Sequence, residues 1–270
     1  MTRTAGAALA LAALLAGCAK ARNYTDPAGP IHTGAAGRPP SAGPGSEIRV
    51  VTFNVKYARH VDRAIALLRR PGPLRDADVL VMEEMDGPGS EQVAAALGMN
   101  HVYVPSAVHP AARKDFGVAV LSPWPIADAK KVPLPHQHRI RGTRRAAVAA
   151  TVHLPSGPLR VVGVHLESPA GLGGRDRRDQ ARTVLAEAAA WDGPVVIAGD
   201  FNGRGGAAEI ARGGYFWATE RVRHTASVFS FDHVLARGLC AAGERAAAKA
   251  PDETRASDHH PVWAVLRSCP

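Results

Sequence analysis

Acids, amides and histidines fall at the ends of apolar runs in six separate segments of this chain. Asn54 follows Val50-Val51-Thr52-Phe53, Glu83 and Glu84 end Val79-Leu80-Val81-Met82, and His165 closes the run from Leu159. Asp200 and Asn202 follow Val195-Val196-Ile197-Ala198-Gly199, Asp232 and His233 lie within another run, and Asp258-His259-His260-Pro261 precedes Val262. Each has a plain structural reading on its own. Asn54 can be a turn former, Asp200-Phe201-Asn202-Gly203 an Asx turn, His165 a core histidine and Asp232 a partnered strand-end acid. Six such placements together point to one pocket, presented by loops over a rigid scaffold. Carboxylates and amides without cysteine suit a hard, oxygen-loving cation: Mg2+, Mn2+ or Ca2+. Mg2+ usually takes one or two protein carboxylates and keeps waters that a phosphate replaces. Histidines beside those acids would move protons and contact phosphate oxygens.

Such ends need buried strands beneath them. Ile48 to Phe53 is rich in β-branched residues and is predicted to be a strand. A helix should follow, with Val61, Ile65 and Leu68 on one stripe and a stop before Pro71. Asp78 to Met82 and Gly117 to Leu121 read as strands buried on both faces, and Ser90 to Leu97 as a short helix ending at Gly98. Ala146 to His153 and Leu159 to His165 form a hairpin around Pro155-Ser156-Gly157-Pro158. Arg175 to Trp191 is the clearest helix, with Ala181, Val184, Leu185 and Ala188 facing one way. Pro194 to Ala198, Val228 to Leu235 and Val262 to Leu266 complete the predicted strands. Strands outnumber helices, and hairpins mix with helical crossovers. The class is therefore α/β or α+β, a layered sandwich.

Read in order, Phe53-Asn54, Met82-Glu83-Glu84, Gly117 to Ser122, Val164-His165-Leu166, Gly199-Asp200-Phe201-Asn202, Phe231-Asp232-His233 and Ser257 to Val262 resemble the motifs of the endonuclease/exonuclease/phosphatase superfamily. The resemblance covers residues 47–268. It implies the deoxyribonuclease-I-like fold, a two-sheet β-sandwich flanked by helices in four layers, and attack of water on phosphorus with a metal offsetting charge. It also implies Glu84 as the principal metal carboxylate, aided by Asn54 and Asp258. Asp200 and Asn202 would position the attacking water and the phosphate. His259, oriented by Asp232, would act as general base or as a phosphate-neutralising acid, with His165 and Arg145 contacting phosphate. Two departures stand out. Glu83 occupies the place of a frequent Gln, so either neighbour could be the ligand, although strand alternation puts only one on the site face. Val118 replaces a frequent Asn after Gly117.

The composition fits this reading. The chain has 270 residues, 46% hydrophobic and 21% charged, which argues against a disordered protein, a coiled coil or a small disulfide scaffold. Beyond the extreme N-terminus no apolar run approaches the ~20 residues that span a bilayer as a helix. Thirty-three Lys and Arg against 24 Asp and Glu give a formal +9, which favours polyanionic partners. Arg139, Arg141, Arg144 and Arg145, and Arg175, Arg177 and Arg178, form basic runs with the usual meaning of solvated faces. His136-Gln137-His138 has metal-like spacing but no cysteine or acid close by in sequence, and reads as a loop. Neither an aromatic platform for single strands nor a sphingomyelinase-like apolar loop stands out.

Met1 to Gly17 has the parts of a secretory signal, and Leu15-Ala16-Gly17-Cys18 resembles the lipobox of bacterial lipoproteins. The expected organisation is a signal over 1–18 with Cys18 lipidated, a flexible Pro/Gly-rich tether over 19–46, and a catalytic domain over 47–270. Export would place Cys240 and Cys269 in an oxidising compartment as a possible disulfide, the alternative being two free thiols. The expected protein is a monomer with no protein partner, held in the bacterial envelope by its lipid alone, with a phosphodiester substrate. Nucleic acid is the first candidate substrate and a phospholipid or small phosphoester the second. A non-catalytic binding lipoprotein is a separate possibility.

Overall fold

Strands apolar on both faces pack two sheets face to face and beneath helices. The computed structural model describes residues 21–39 and 45–269. Along them run β1 (His32–Gly34), β2 (Glu47–Asn54), α1 (Val61–Leu68), β3 (Val79–Met85), α2 (Gly87–Leu97), β4 (Asn100–His109) and β5 (Lys114–Ser122). Next come β6 (Ile126–Pro133), β7 (Ala146–Leu154), β8 (Gly157–His165), α3 (Gly174–Ala189), β9 (Val195–Asp200), α4 (Arg204–Arg212) and β10 (Phe216–Trp217). The last strands are β11 (Asp232–Arg237), β12 (Leu239–Ala241), β13 (Ala247–Lys249) and β14 (Val262–Ser268).

The first sheet has the order β1-β4-β5-β3-β2-β14-β12 with β13 also on β14, and the second β10-β11-β9-β8-β7-β6. Most neighbours are antiparallel. The β2–β3 and β8–β9 pairs are parallel, each joined by a helical crossover through α1 or α3. Val50, Val79, Val81, Val118 and Val120 of the first sheet meet Val148, Val161, Val196, Ala198 and Val234 of the second. The sheets approach so closely that a Cβ on Gly163 would stand 3.0 Å from a methyl of Val81 in the opposite sheet. Outward residues Val51, Phe53, Leu80 and Met82 pack beneath α1 and α2, and Val162, Val164, Ile197 and Leu235 beneath α3 and α4. The fold is thus the expected four-layer sandwich. Its register turns each strand's alternation into one core face and one helix-covered face.

Several expectations change. The strand expected from Val228 begins only at Asp232, because Ala226 and Phe229 exchange two backbone hydrogen bonds and close a tight turn before it. The helix expected from Ser90 starts at Gly87, where the Asp86 carboxylate caps it by accepting from the Gly89 N–H at 2.7 Å. Residues 21–39 are docked rather than a free tether. β1 pairs antiparallel with β4, and the Tyr24 hydroxyl donates to Asp115 Oδ1 at 2.7 Å. Asn23 donates to the Gly142 carbonyl at 2.9 Å and accepts from the Arg144 N–H at 2.7 Å. Pro and Gly disfavour regular structure there, but the body still satisfies the backbone. Cys240 and Cys269 form a disulfide that ties β12 to the end of β14. The signal and Cys18 lie outside the described residues. Among those described, no helix is long and apolar enough to cross a membrane.

Candidate active site

The inward-facing columns turn from apolar to polar at one end of the sandwich. Val50 and Thr52 lead to Asn54, Val79 and Val81 to Glu83, Val161 and Gly163 to His165, and Val196 and Ala198 to Asp200. Register aligns these ends: Asn54 lies opposite Glu83, and Asp200 lies between His165 and Asp232. Polar ends at matched positions on two facing sheets make one pocket from segments far apart in sequence.

Asp200 is the hub. Its Oδ2 accepts from Asn54 Nδ2 at 3.0 Å across the two sheets, and its Oδ1 accepts from the Asn202 N–H at 2.7 Å. Gly199 makes this turn possible: it sits at φ 147°, and a Cβ there would lie 1.9 Å from the Val164 carbonyl oxygen. Asn202, at φ 50°, spends its amide nitrogen on the Leu166 carbonyl at 2.9 Å and so braces the loop. Burial pushes the Asp200 carboxyl above its ordinary range; His259 opposes the rise and Asp232 adds to it.

Two histidine networks flank the hub. His259 Nδ1 faces both oxygens of Asp232, at 3.1 and 3.0 Å, and its Nε2 points toward Asp200 Oδ2, 3.9 Å away. Burial works against a charge on His259, but the facing Asp232 carboxylate outweighs it, aided by Asp200, and the pKa is pushed up to about 10. His165 is the opposite case. Arg145 Nη1 lies 2.9 Å from His165 Nδ1, and a guanidinium has no acceptor, so Nδ1 must accept. The proton therefore sits on Nε2, directed at Asp200 Oδ2 at 3.4 Å. Burial and the Arg145 charge hold the His165 pKa well below the ordinary value. Arg145 is held by Glu167 through two hydrogen bonds, Nε to Oε2 at 3.1 Å and Nη2 to Oε1 at 3.0 Å.

A β-bulge settles where the adjacent glutamates go. The β3–β5 register shifts between Glu83 and Met85, and Glu84 takes φ 56°. Alternation is broken, so the expectation that only one glutamate reaches the site does not hold. Glu83 is fully buried, accepts from Thr52 Oγ1 at 2.8 Å and leaves Oε2 without a partner among the described residues. Burial, then Asp232, raises its pKa well above the usual range. Glu84 Oε2 accepts from the Tyr57 N–H at 3.0 Å; burial raises its pKa while Arg145 and His259 pull it down. Val118 lies opposite Glu83 in the strand register, fully buried in the inter-sheet core. Asp258 is instead an exposed rim residue, paired with Lys56 Nζ at 2.7 Å. That contact outweighs its partial burial and keeps its pKa low.

The donor set fits a hard cation. Among the described residues Arg145 is paired with Glu167 and His259 with Asp232, so Glu83, Glu84 and Asp200 have no arginine or lysine partner. Carboxylate and amide oxygens beside the orphaned Glu83 Oε2 suit Mg2+, Mn2+ or Ca2+. Asp200, Asp232 and His259 also lie within 4.8 Å of one another, atom to atom, but Asp232 spends both oxygens on His259. His136, expected to have no acid nearby, in fact sits 3.1 Å from Asp179 Oδ2, with Asp176 beside it. Arg182 and Arg139 already pair with those acids. The pairing arises because α3 folds back onto the loop, which local sequence does not reveal.

Glu167 and Thr52 were missed in sequence. Glu167 stands two residues after His165, the spacing that returns a side chain to the same face.

The family model for the endonuclease/exonuclease/phosphatase family matches residues 51–259. An endonuclease/exonuclease/phosphatase from Beutenbergia cavernae DSM 12333 shares 23% identity over 83% of this chain and 72% of its own, with a TM-score of 0.65. D. rerio TDP2 complexed with single strand DNA product shares 19% over 83% of this chain and 100% of its own, with a TM-score of 0.63. Sphingomyelinase C from Streptomyces griseocarneus shares 18% over 83% and 99%, with a TM-score of 0.60. None of the curated proteins compared with the chain matches it.

Proposed function

The chain belongs to the endonuclease/exonuclease/phosphatase family, whose members are phosphoester hydrolases, and from that premise we propose that it is a divalent-cation-dependent phosphodiesterase acting on nucleic acid. One observation carries the reading: Glu83, Glu84 and Asp200 have no arginine or lysine partner among the described residues, and they stand beside two ordered histidines. When bound, a hard divalent ion supplies charge neutralisation for the phosphate oxygens; Glu84, Glu83 and Asn54 would hold it, with Asp258 at the rim.

The chain's own groups divide the remaining work. His259 enters protonated, held so by Asp232, so its Nε2 donates to a phosphate oxygen and neutralises developing charge. The raised pKa supports the acid role for His259 over the general-base role. Asp200, fixed by Asn54, Asn202 and His165, orients the attacking water and takes its proton. His165 and Arg145 act on Asp200 in series, Arg145 setting the tautomer that aims His165 Nε2 at it. Arg145 therefore positions, with its fork already engaged by Glu167 and His165.

The formal +9 favours a polyanion, and the TDP2 relative was solved with a DNA product. A sphingomyelinase C of the same fold makes lipid a necessary control. The Cys240–Cys269 bond suits an oxidising compartment, and with the lipobox-like Cys18 it supports export and anchoring in the bacterial envelope. The deciding assay gives the full chain plasmid DNA, RNA, sphingomyelin and a chromogenic phosphodiester, each with Mg2+, Mn2+, Ca2+ or EDTA. Hydrolysis of nucleic acid that EDTA abolishes is expected. His259→Ala and Asp200→Ala should each lower turnover at least ~10²-fold. Activity that survives both substitutions, or none on any substrate, would sink the reading.

A further inference from the structure

We propose that Phe229, backed by Phe231, is a stacking platform for a nucleobase flanking the scissile phosphate, a role that rests on the nucleic-acid reading above. Spacing in the sequence hid it; the tight turn before β11 creates it. Ala226 and Phe229 exchange backbone hydrogen bonds at 3.1 and 2.9 Å, which turns Val228 and Phe229 outward. Thr225 locks the turn to the site: its Oγ1 accepts from the N–H groups of Phe231 at 2.9 Å and Asp232 at 3.2 Å, and its carbonyl accepts from the His260 N–H at 2.7 Å. The platform is thus hydrogen-bonded on either side of the Asp232–His259 pair.

The rings have the geometry of a stack waiting for a third member. Phe229 and Phe231 are parallel within 5°, with centroids 5.1 Å apart, and Phe231 lies 6.0 Å from the His259 ring. Phe231 is partly buried, whereas Phe229 is 56% exposed and Val228 68%. Among the described residues Phe229 is therefore left open to solvent, one ring beyond Phe231 and its His259 neighbour. Arg221 and Arg223 are exposed just before the turn, and Lys249 Nζ donates to the His224 carbonyl at its base. Aromatic faces interleaved with cations bind single-stranded nucleic acid, because every base has a π-face and every linkage a charge. A lipid-inserting tip needs exposed apolar bulk but no coplanar ring pair beside the acid histidine. The parallel stack is why we favour a base over a bilayer.

The test reads binding without cleavage. A single-stranded oligonucleotide carrying 2-aminopurine is titrated into the full chain in EDTA, alongside vesicles of anionic phospholipid. We expect quenching on binding, loss of quenching and about tenfold weaker binding in Phe229→Ala, and recovery in Phe229→Trp. Replacing the reporter base with an abasic spacer should weaken binding to the unsubstituted protein but not to Phe229→Ala. Unchanged oligonucleotide affinity in Phe229→Ala overturns the proposal, as does loss of vesicle binding alone in that variant, which would assign the turn to a membrane. Hydrolysis of the same oligonucleotide with Mg2+ is scored separately, so stacking without cleavage counts against the enzymatic reading and not this one.

Discussion

His259 keeps its proton because Asp232 presents two oxygens to one ring nitrogen at the buried end of β11. Its folded pKa, about 10, lies above the ordinary histidine value of about 6.5. A raised pKa stabilises the fold fully below the unfolded value and is lost as pH rises through the folded one. Stability should therefore decline between about pH 6.5 and about pH 10, and Asp232→Asn should flatten that slope; urea titrations across the window measure both. Turnover should follow the same proton, falling on the alkaline side as His259 deprotonates. A kcat/KM profile that instead rises through that window would mean the neutral imidazole is the working form. The Arg145–Glu167 pair gives a second expectation. Both side chains are buried, so Glu167→Ala leaves a guanidinium without its partner and should cost about 3–5 kcal/mol. The His165 tautomer should loosen with it, so turnover of the surviving folded fraction should also fall.

At the scale of elements, the disulfide is the clearest lever. Cys240 and Cys269 are separated by 29 positions, and closing a loop of that size removes about 3.5 kcal/mol of unfolded-state entropy. Cys240→Ser should lower Tm by roughly 7–14 °C, as should reduction, and reducing agent should have no further effect on the variant. Strands buried on both faces announce themselves as continuous apolar runs, so β2, β3, β5, β9 and both arms of the β7–β8 hairpin were visible. β4 contains Pro105 with a register shift beside it, and α4 opens on Arg204-Gly205-Gly206, so propensity pointed away from both. At the site, residues at strand ends were legible because a polar side chain stands where an apolar run stops or starts: Asn54, His165 and Asp200 close their strands, Glu83 ends the apolar run of β3 and Asp232 opens β11. What broke that rule was hidden: the bulge at Glu84, the turn before β11, and the partnership of Arg145 with Glu167, which is set by register between strands.

The whole molecule is shaped by where its N-terminal segment lies. A free Pro/Gly tether of 19–46 would let the domain wander about 30 Å from an anchor. Residues 21–39 instead run along the body from β1 to the loop before Arg145, so a lipid on Cys18 would be joined to docked chain within three residues, about 10 Å. Each buried acyl CH2 contributes about 0.8 kcal/mol, enough for the chains alone to hold the protein. A chain begun at residue 19, without the signal and the lipidated cysteine, should therefore stay in the soluble fraction with kcat/KM on a soluble phosphodiester unchanged. Association of that chain with the membrane fraction would mean that protein surface, not lipid, provides the attachment. Asn23 should matter differently, since its amide joins the strap to Gly142 and Arg144 on the loop that leads into Arg145. Asn23→Ala should leave the protein at the membrane yet lower both Tm and kcat/KM. The anchor and the strap would then be separable, the first deciding where the hydrolase sits and the second how well its cleft is held.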